Sequence, residues 1–456
     1  MRVSTRLSFV VVLAALIPAC FSVTDFDDID TSQEETFTLP YVQNLDGFDI
    51  LFVVDSSGSV APLMAGIGYR APDMLESLDV ALDGAQSLGF TLHIGLITPD
   101  LGAGAYPITN CTADGDAGIL QTRTSFDCSP LEGTHIVVVD DIVQNMGYVN
   151  DLPTAVQCLI DGLGERLAEE GSGCGFEQPL AAVAKALDPV QTPENQSFFR
   201  PNAGLAVVLM TDEDDCSAAD DSVFDPGATA TLGPLSSFRC FEWGVVCDED
   251  PRMPGAKTNC RPRTAGEGGL LHEPAELADM IFEHKSRSSV VFATVAEPAD
   301  FVNVSINQYS EPQLDPVCVD TGMPGIRLRS FMEQFGDDGL TDSMCAPELD
   351  QLLYQISERM ASQAVSRCMP RTPADMDPDT GGVQVDCTAW DVTNLGQVDE
   401  WRSADILSCE LTGEYPPCWK VKQDTVCTSG YKMEVLREQM PMADSIVEAT
   451  CEVLID

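Results

Sequence analysis

Short, strongly apolar runs alternate with segments of helical spacing through most of the chain. Phe48 to Val54 is apolar throughout except for Asp49, the pattern of a strand buried on both faces. Leu63 to Leu88 carries apolar residues three and four apart and predicts a helix; Phe90 to Thr98 (FTLHIGLIT) and Thr134 to Val139 (THIVVV) predict the next strands. Helices are expected at about Leu152 to Ala168 and at Pro179 to Leu187. Leu205 to Met210 (LAVVLM) predicts a further strand, Pro274 to Glu283 a helix, Ser289 to Val295 (SVVFATV) a strand, and Pro347 to Ala361 a closing helix. Strands alternating with helices imply a doubly wound, mostly parallel α/β sheet over residues 47–366. Ligands in such sheets sit outside the carboxyl ends of the strands.

Two stretches interrupt the pattern, one near 102–133 and one near 217–272, and each is rich in Gly, Pro, Asp and Cys. Loops of that length are either functional or stapled. Both follow strands on the ligand face, so they either wall it and set partner choice or are surface decoration held by disulfides. Beyond them, 370–386 (PRTPADMDPDTGGVQVD) has a linker composition. Asp375, Asp377, Asp379 and Asp386 fall at positions 1, 3, 5 and 12 of a calcium loop, but Thr380 stands where the sharp turn needs glycine and Pro378 lies inside. That stretch reads as solvated linker. After it, Cys387, Cys409, Cys418, Cys427 and Cys451 punctuate short alternating segments, with Cys368 the nearest partner for the odd one of these five, and 367–456 is expected to form a small stapled β module.

The N-terminus adds a destination. Arg2 and Arg6 precede an apolar run from Leu7 to Ile17, too short for a mature membrane helix and typical of a secretory leader. Pro18-Ala19-Cys20 resembles a lipoprotein signal, with residues 1–19 removed and Cys20 acylated, although Pro18 departs from the usual residue there. Phe21 rather than Asp after the cysteine favours the outer membrane by the same resemblance. Residues 20–46 carry Asp25, Asp27, Asp28, Asp30, Glu34, Glu35 and Asp46 with no Lys or Arg, and predict an acidic tether.

Charge and cysteine content narrow the function. With 73 acidic and 24 basic residues the net charge is −49, which excludes nucleic-acid binding through phosphates. The 17 cysteines become 16 if Cys20 carries lipid, an even number suited to disulfides in an exported chain. The candidates are Cys111, Cys128, Cys158, Cys174, Cys216, Cys240, Cys247, Cys260, Cys318, Cys345, Cys368, Cys387, Cys409, Cys418, Cys427 and Cys451.

The richest chemistry lies directly after two of the apolar strands. Asp55-Ser56-Ser57-Gly58-Ser59 reads Asp-x-Ser-x-Ser and puts one carboxylate and two hydroxyls on one tight loop, a set of hard oxygen ligands for a divalent cation. Thr211-Asp212-Glu213-Asp214-Asp215-Cys216 brings Asp212 to a neighbouring strand end. The competing reading is that Ser57 and Ser59 cap a helix while Asp55 satisfies loop amides. Together the paired motifs resemble the von Willebrand factor A family, a Rossmann-like fold, and its metal-ion-dependent adhesion site, over about Phe48 to Ala361. The resemblance implies a Mg²⁺ or Ca²⁺ ion on Asp55, Ser57, Ser59 and Asp212, with an open position that a partner protein's carboxylate completes. Where that family has a threonine, this chain has Gly171-Ser172-Gly173-Cys174-Gly175-Phe176-Glu177. Ser172 or Glu177 stands in, unless Glu177 only faces a helix N-terminus. The strings GCGFEQPL and LAVVLMTDEDDCS also resemble A-domain lipoproteins of uncharacterised role from delta-type proteobacteria.

Catalytic signals are poor. His93, His135, His272 and His284 form no metal-binding pair at helical spacing, and neither a Gly-x-Ser-x-Gly elbow nor a phosphate-cradling glycine loop occurs. The expectation is a non-enzymatic, lipid-anchored outer-membrane protein, periplasmic or surface-facing, that binds a partner protein through a divalent cation. The alternative is a structural envelope protein whose metal only stiffens the loop.

Overall fold

The computed structural model describes residues 32–40, 47–57, 91–139, 142–201, 203–297, 299–317, 322–343, 352, 354–357, 359–360, 368–377, 383–393, 400–413, 415–423, 427–437 and 445–455. The leader 1–19, Cys20, the helix expected over 63–88, Ser59, Cys318, Cys345 and part of the closing helix lie outside the described residues.

The chain begins with β1 (Ser32–Pro40), then enters β2 (Gly47–Val54) and β3 (Thr91–Ile97). After a long insertion come β4 (Ile136–Val139) and β5 (Ile142–Val143), α1 (Leu152–Glu170), α2 (Pro179–Leu187) and β6 (Ala203–Met210). The second insertion holds α3 (Phe238–Gly244), β7 (Val245–Val246), β8 (Gly255–Lys257) and β9 (Arg261–Pro262). Next are α4 (Pro274–Phe282), β10 (Val290–Ala296), the hairpin β11 (Val302–Ile306) with β12 (Pro312–Leu314), α5 (Ile326–Met332) and β13 (Gly339–Ser343). The last part holds β14 (Cys387–Thr393), β15 (Trp401–Arg402), β16 (Leu407–Ser408), β17 (Cys418–Gln423), β18 (Tyr431–Leu436) and β19 (Ser445–Leu454).

The largest sheet has seven strands in the order β13-β10-β6-β2-β3-β4-β5. Its central strand, β2, is buried along its whole length because alternate side chains enter two different cores. Phe48, Ile50, Phe52 and Val54 pack with Ala155, Val156, Leu159 and Leu163 of α1. Leu51 and Val53 pack with Leu180 and Val183 of α2, Leu277 and Ile281 of α4, and Phe331 of α5. Polar residues cannot persist on such a strand without partners, and Asp49 has them: Arg200 Nε at 2.8 Å and Lys285 Nζ at 3.2 Å.

The expected fold class is corrected by the strand pairing. Among the described residues there are five sheets, and nine of their fourteen strand pairings are antiparallel. The architecture is therefore mixed α/β with several antiparallel sheets, rather than the doubly wound, mostly parallel, Rossmann-like class of the von Willebrand factor A family. One cause is β4, which returns antiparallel to β3. A parallel return needs a crossover, usually helical, and residues 98–135 contain no helix. The other causes are the short hairpin strands of the insertions and the C-terminal sheets, whose apolar periodicity is too brief to stand out in sequence.

β1 lies within the span expected as tether. It pairs antiparallel with β19 from Ser32↔Leu454 to Pro40↔Ile446, and Leu39 is buried with Val447, Ala449 and Val453. Seven disulfides staple the described chain: Cys111–Cys174, Cys128–Cys158, Cys216–Cys240, Cys247–Cys260, Cys368–Cys427, Cys387–Cys451 and Cys409–Cys418. That density marks a protein that folds in an oxidising compartment, outside the cytosol. Among the described residues no helix is long and apolar enough to cross a membrane.

Candidate functional site

Three parallel strands of the large sheet, β3, β2 and β6, end side by side, and the loops leaving them are bound to one another. Asp55 N–H donates to Met210 C=O at 3.1 Å, tying the end of β2 to the end of β6. The loop between α1 and α2 is held to all three strand ends. Gly173 N–H donates to Ser56 C=O at 2.8 Å, Gln178 N–H to Pro99 C=O at 3.0 Å, and Cys216 N–H to Glu177 C=O at 2.8 Å. Asp100 supports the same loop, accepting Cys174 N–H at 3.1 Å and Gly102 N–H at 2.8 Å. The Cys111–Cys174 disulfide then joins this loop to the first insertion. Gly173 lets the loop approach closely: a Cβ there would meet Ser56 Oγ at 2.3 Å and force that side chain to move.

This framework converges Asp55, Glu177 and Asp212, whose carboxylates each bring an oxygen within 4.8 Å of the others. All three are at most 1% exposed. Of the two candidates to replace the expected threonine, Glu177 reaches the cluster, whereas Ser172 Oγ accepts from Asn110 Nδ2 at 3.3 Å near the surface. Ser57 sits beside the cluster, its N–H donating to Asp55 Oδ1 at 2.7 Å. Ser59 lies outside the described residues.

Sequence reading missed Thr211. Its Oγ1 is 3.0 Å from Asp55 Oδ2, 3.2 Å from Glu177 Oε2 and 3.3 Å from Glu213 C=O. A hydroxyl has one proton, so it satisfies one of these acceptors at a time. Glu177 Oε1, also buried, has no hydrogen-bond partner among the described residues. Neither Asp55 nor Glu177 forms an ion pair with a described Lys, Arg or His. The only signal for Thr211 in the sequence was its place before Asp212 at a strand end.

The electrostatic consequence is severe. Burial first, then the neighbouring Asp55, Glu213 and Asp212 charges, push Glu177 well above the usual carboxylate range. Glu213 is pushed up to about 8 by burial and by Asp55 and Asp212. Asp214 is raised to about 6 by burial, although it accepts the Arg327 and Leu328 N–H groups at the start of α5, each at 3.0–3.1 Å. Asp215 has its own counter-ion, the buried Arg327 at 2.9 Å.

The donor set is made of carboxylate and hydroxyl oxygens, with no sulfur or imidazole. Such ligands suit Mg²⁺ or Ca²⁺ rather than zinc or copper. A cation there would supply the compensation that Glu177 Oε1 and the surplus acceptors around Thr211 lack. The four histidines are elsewhere: the His93 and His135 rings lie tilted at 4.3 Å between centroids at the other end of the sheet, His272 meets Glu276 at 3.1 Å, and His284 lines a separate cleft with Lys185 and Asp188.

Comparisons with known proteins do not add a family. No protein-family model and no curated protein matches the chain, so the von Willebrand factor A resemblance has no support from them. Among solved structures, the pilus adhesin SpaC of Lactobacillus rhamnosus GG is similar with a TM-score of 0.32 and 12% identity, covering 93% of this chain and 43% of that one. The human COPII-coat protein Sec24c is similar with a TM-score of 0.29 and 9% identity, over 93% and 46% of the two chains. The pilus adhesin RrgA of Streptococcus pneumoniae has a TM-score of 0.25 and 10% identity, over 96% and 60%. This chain spans less than half the length of the first two. Bacterial pilus adhesins thus recur among the structural neighbours, at scores that by themselves carry no argument about function.

Proposed function

We propose that this is an exported cell-envelope protein, not an enzyme, that binds a partner protein through one divalent cation. The cation is held by Asp55, Glu177 and Asp212, with Ser57, Ser59 and Thr211 contributing oxygens, and Mg²⁺ and Ca²⁺ are the candidates. What supports this is the convergence of three buried carboxylates, one of whose oxygens, Glu177 Oε1, has no hydrogen-bond donor among the described residues. Burying like charges this closely costs several kcal/mol unless a proton or a cation intervenes. The partner's contribution is a carboxylate oxygen that completes the coordination shell, as at a metal-ion-dependent adhesion site. Anchoring follows from the N-terminal sequence: acylation of Cys20 holds the protein at the outer membrane.

A second reading is favoured by the burial of all three carboxylates: the cation stiffens the loop and never exchanges a ligand. Asp55→Ala separates the two. Partner capture from envelope extract, abolished by chelator and by Asp55→Ala while the melting temperature stays within a few degrees, supports recognition. Loss of melting temperature with capture unaffected by chelator supports the structural role.

A further inference from the structure

A cleft of about 310 Å³ opens next to the carboxylate cluster, between the second insertion and the β11–β12 hairpin. Glu213, one residue from Asp212, lies on its wall together with Asp214, and Met323, whose N–H donates to Asp212 C=O at 2.7 Å, lies beside them. The opposite walls are aromatic and apolar: Phe238 and Phe241 of α3 and Leu314 of β12. These are fixed rather than adaptable, since α3 is pinned by Cys216–Cys240 and its two phenylalanines pack with Val302 and Val304 of the hairpin. Among the described residues no Lys, Arg or His lines the cleft, and its ionisable side chains are the two carboxylates. Asp214 is committed to the Arg327 and Leu328 N–H groups, so Glu213 is the one left to a visitor.

We infer that this cleft receives a Lys or Arg side chain of the partner protein, its stem against Phe238, Phe241 and Leu314 and its cation at Glu213. Aromatic walls around a carboxylate suit a long side chain with an apolar stem and a charged head. The charge balance points the same way. The chain as a whole carries −49, so a purely anionic partner surface would be repelled and a basic one attracted. The partner surface therefore presents a carboxylate to the metal with a basic side chain beside it. This inference rests on the partner-binding reading above and adds the chemistry of the partner.

The test uses the full exported chain with Ca²⁺ present and Nα-acetylarginine methylamide as probe, against its neutral isostere, the citrulline compound, and the leucine compound. Saturable arginine binding is expected at a Kd on the order of millimolar, as suits one side chain, at least about tenfold tighter than either analogue. Glu213→Gln should erase the preference. Because Glu213 adjoins the metal site, Gln313→Arg provides a second arm: it puts a guanidinium into the cleft from an exposed hairpin position. That variant should lose the probe while keeping its Ca²⁺ affinity. Equal binding of the citrulline or leucine compound, or no saturable arginine binding, overturns the inference. Absence of Ca²⁺ binding in the unmodified chain overturns the metal reading instead.

Discussion

Lys285 Nζ, on a side chain only 3% exposed, lies 3.2 Å from Asp49 Oδ2 and donates to Arg200 C=O at 2.6 Å and Ala203 C=O at 2.9 Å. Asp49 and Asp55 lie six residues apart on one chain segment, each buried, and the fold treats them differently. Asp49 is neutralised by Lys285 and Arg200, whereas Asp55 faces two more carboxylates. Removing one member of a buried ionic group leaves its partner desolvated, so Lys285→Met should cost about 3–5 kcal/mol. Urea unfolding followed by circular dichroism measures it; a cost under about 1 kcal/mol would mean that Arg200 alone neutralises Asp49.

The histidine pair predicts acid sensitivity. His135 Nδ1 lies 3.0 Å from Thr134 Oγ1 and its ring is 5.4 Å from Phe198. Burial, then the neighbouring His93 and Arg200, lower its pKa from 6.5 to about 4, with Asp49 opposing. Below pH 6.5 the unfolded chain takes up a proton that the native state refuses until about pH 4. Stability is therefore full above pH 6.5 and falls as the pH drops toward 4. Melting curves across that range should decline less steeply in His135→Gln than in the natural sequence; identical slopes would remove His135 as a cause.

The strand β1 ties the start of the described chain to its last strand. Leu39 is buried among Val447, Ala449 and Val453, so Leu39→Ala should destabilise the C-terminal sheets by about 2–5 kcal/mol. Limited proteolysis reads this locally: cleavage within 400–455 should accelerate, whereas fragments from the seven-stranded sheet should not change.

How much of this was legible in the sequence depended on the length of each apolar run. GFDILFVV and AGLAVVLM are buried at every position, which is why the strand ends carrying Asp55 and Asp212 could be placed from sequence. Glu177 was reachable only as one of two candidates, because its position is set by hydrogen bonds from residues far along the chain, such as Cys216 N–H. β1 was hidden because Glu35, paired with Arg371, shares the inward face with Phe37 and Leu39, which are too few to show a period. The fold class was misread for a related reason: buried parallel strands announce themselves, while two- and three-residue antiparallel strands in stapled loops do not. Nor could spacing show that β4 returns antiparallel.

The disulfide between Cys111 and Cys174 bears on the site more than on the core. It holds the loop that carries Glu177, and preorganised ligands bind metal more tightly than ligands that must be ordered. A variant with both Cys111→Ser and Cys174→Ser should bind Ca²⁺ about tenfold more weakly. Unchanged affinity, by competition with a chelating dye, would show that the Gly173–Ser56 and Cys216–Glu177 hydrogen bonds suffice.

Titration calorimetry of Ca²⁺ and Mg²⁺ into the full chain, alongside Glu177→Ala, tests the cation site most directly. One ion per chain is expected, with affinity falling at least about tenfold in the variant, as for loss of one carboxylate ligand. Unchanged affinity in Glu177→Ala, or no heat of binding in the natural sequence, would contradict a cation held by Asp55, Glu177 and Asp212.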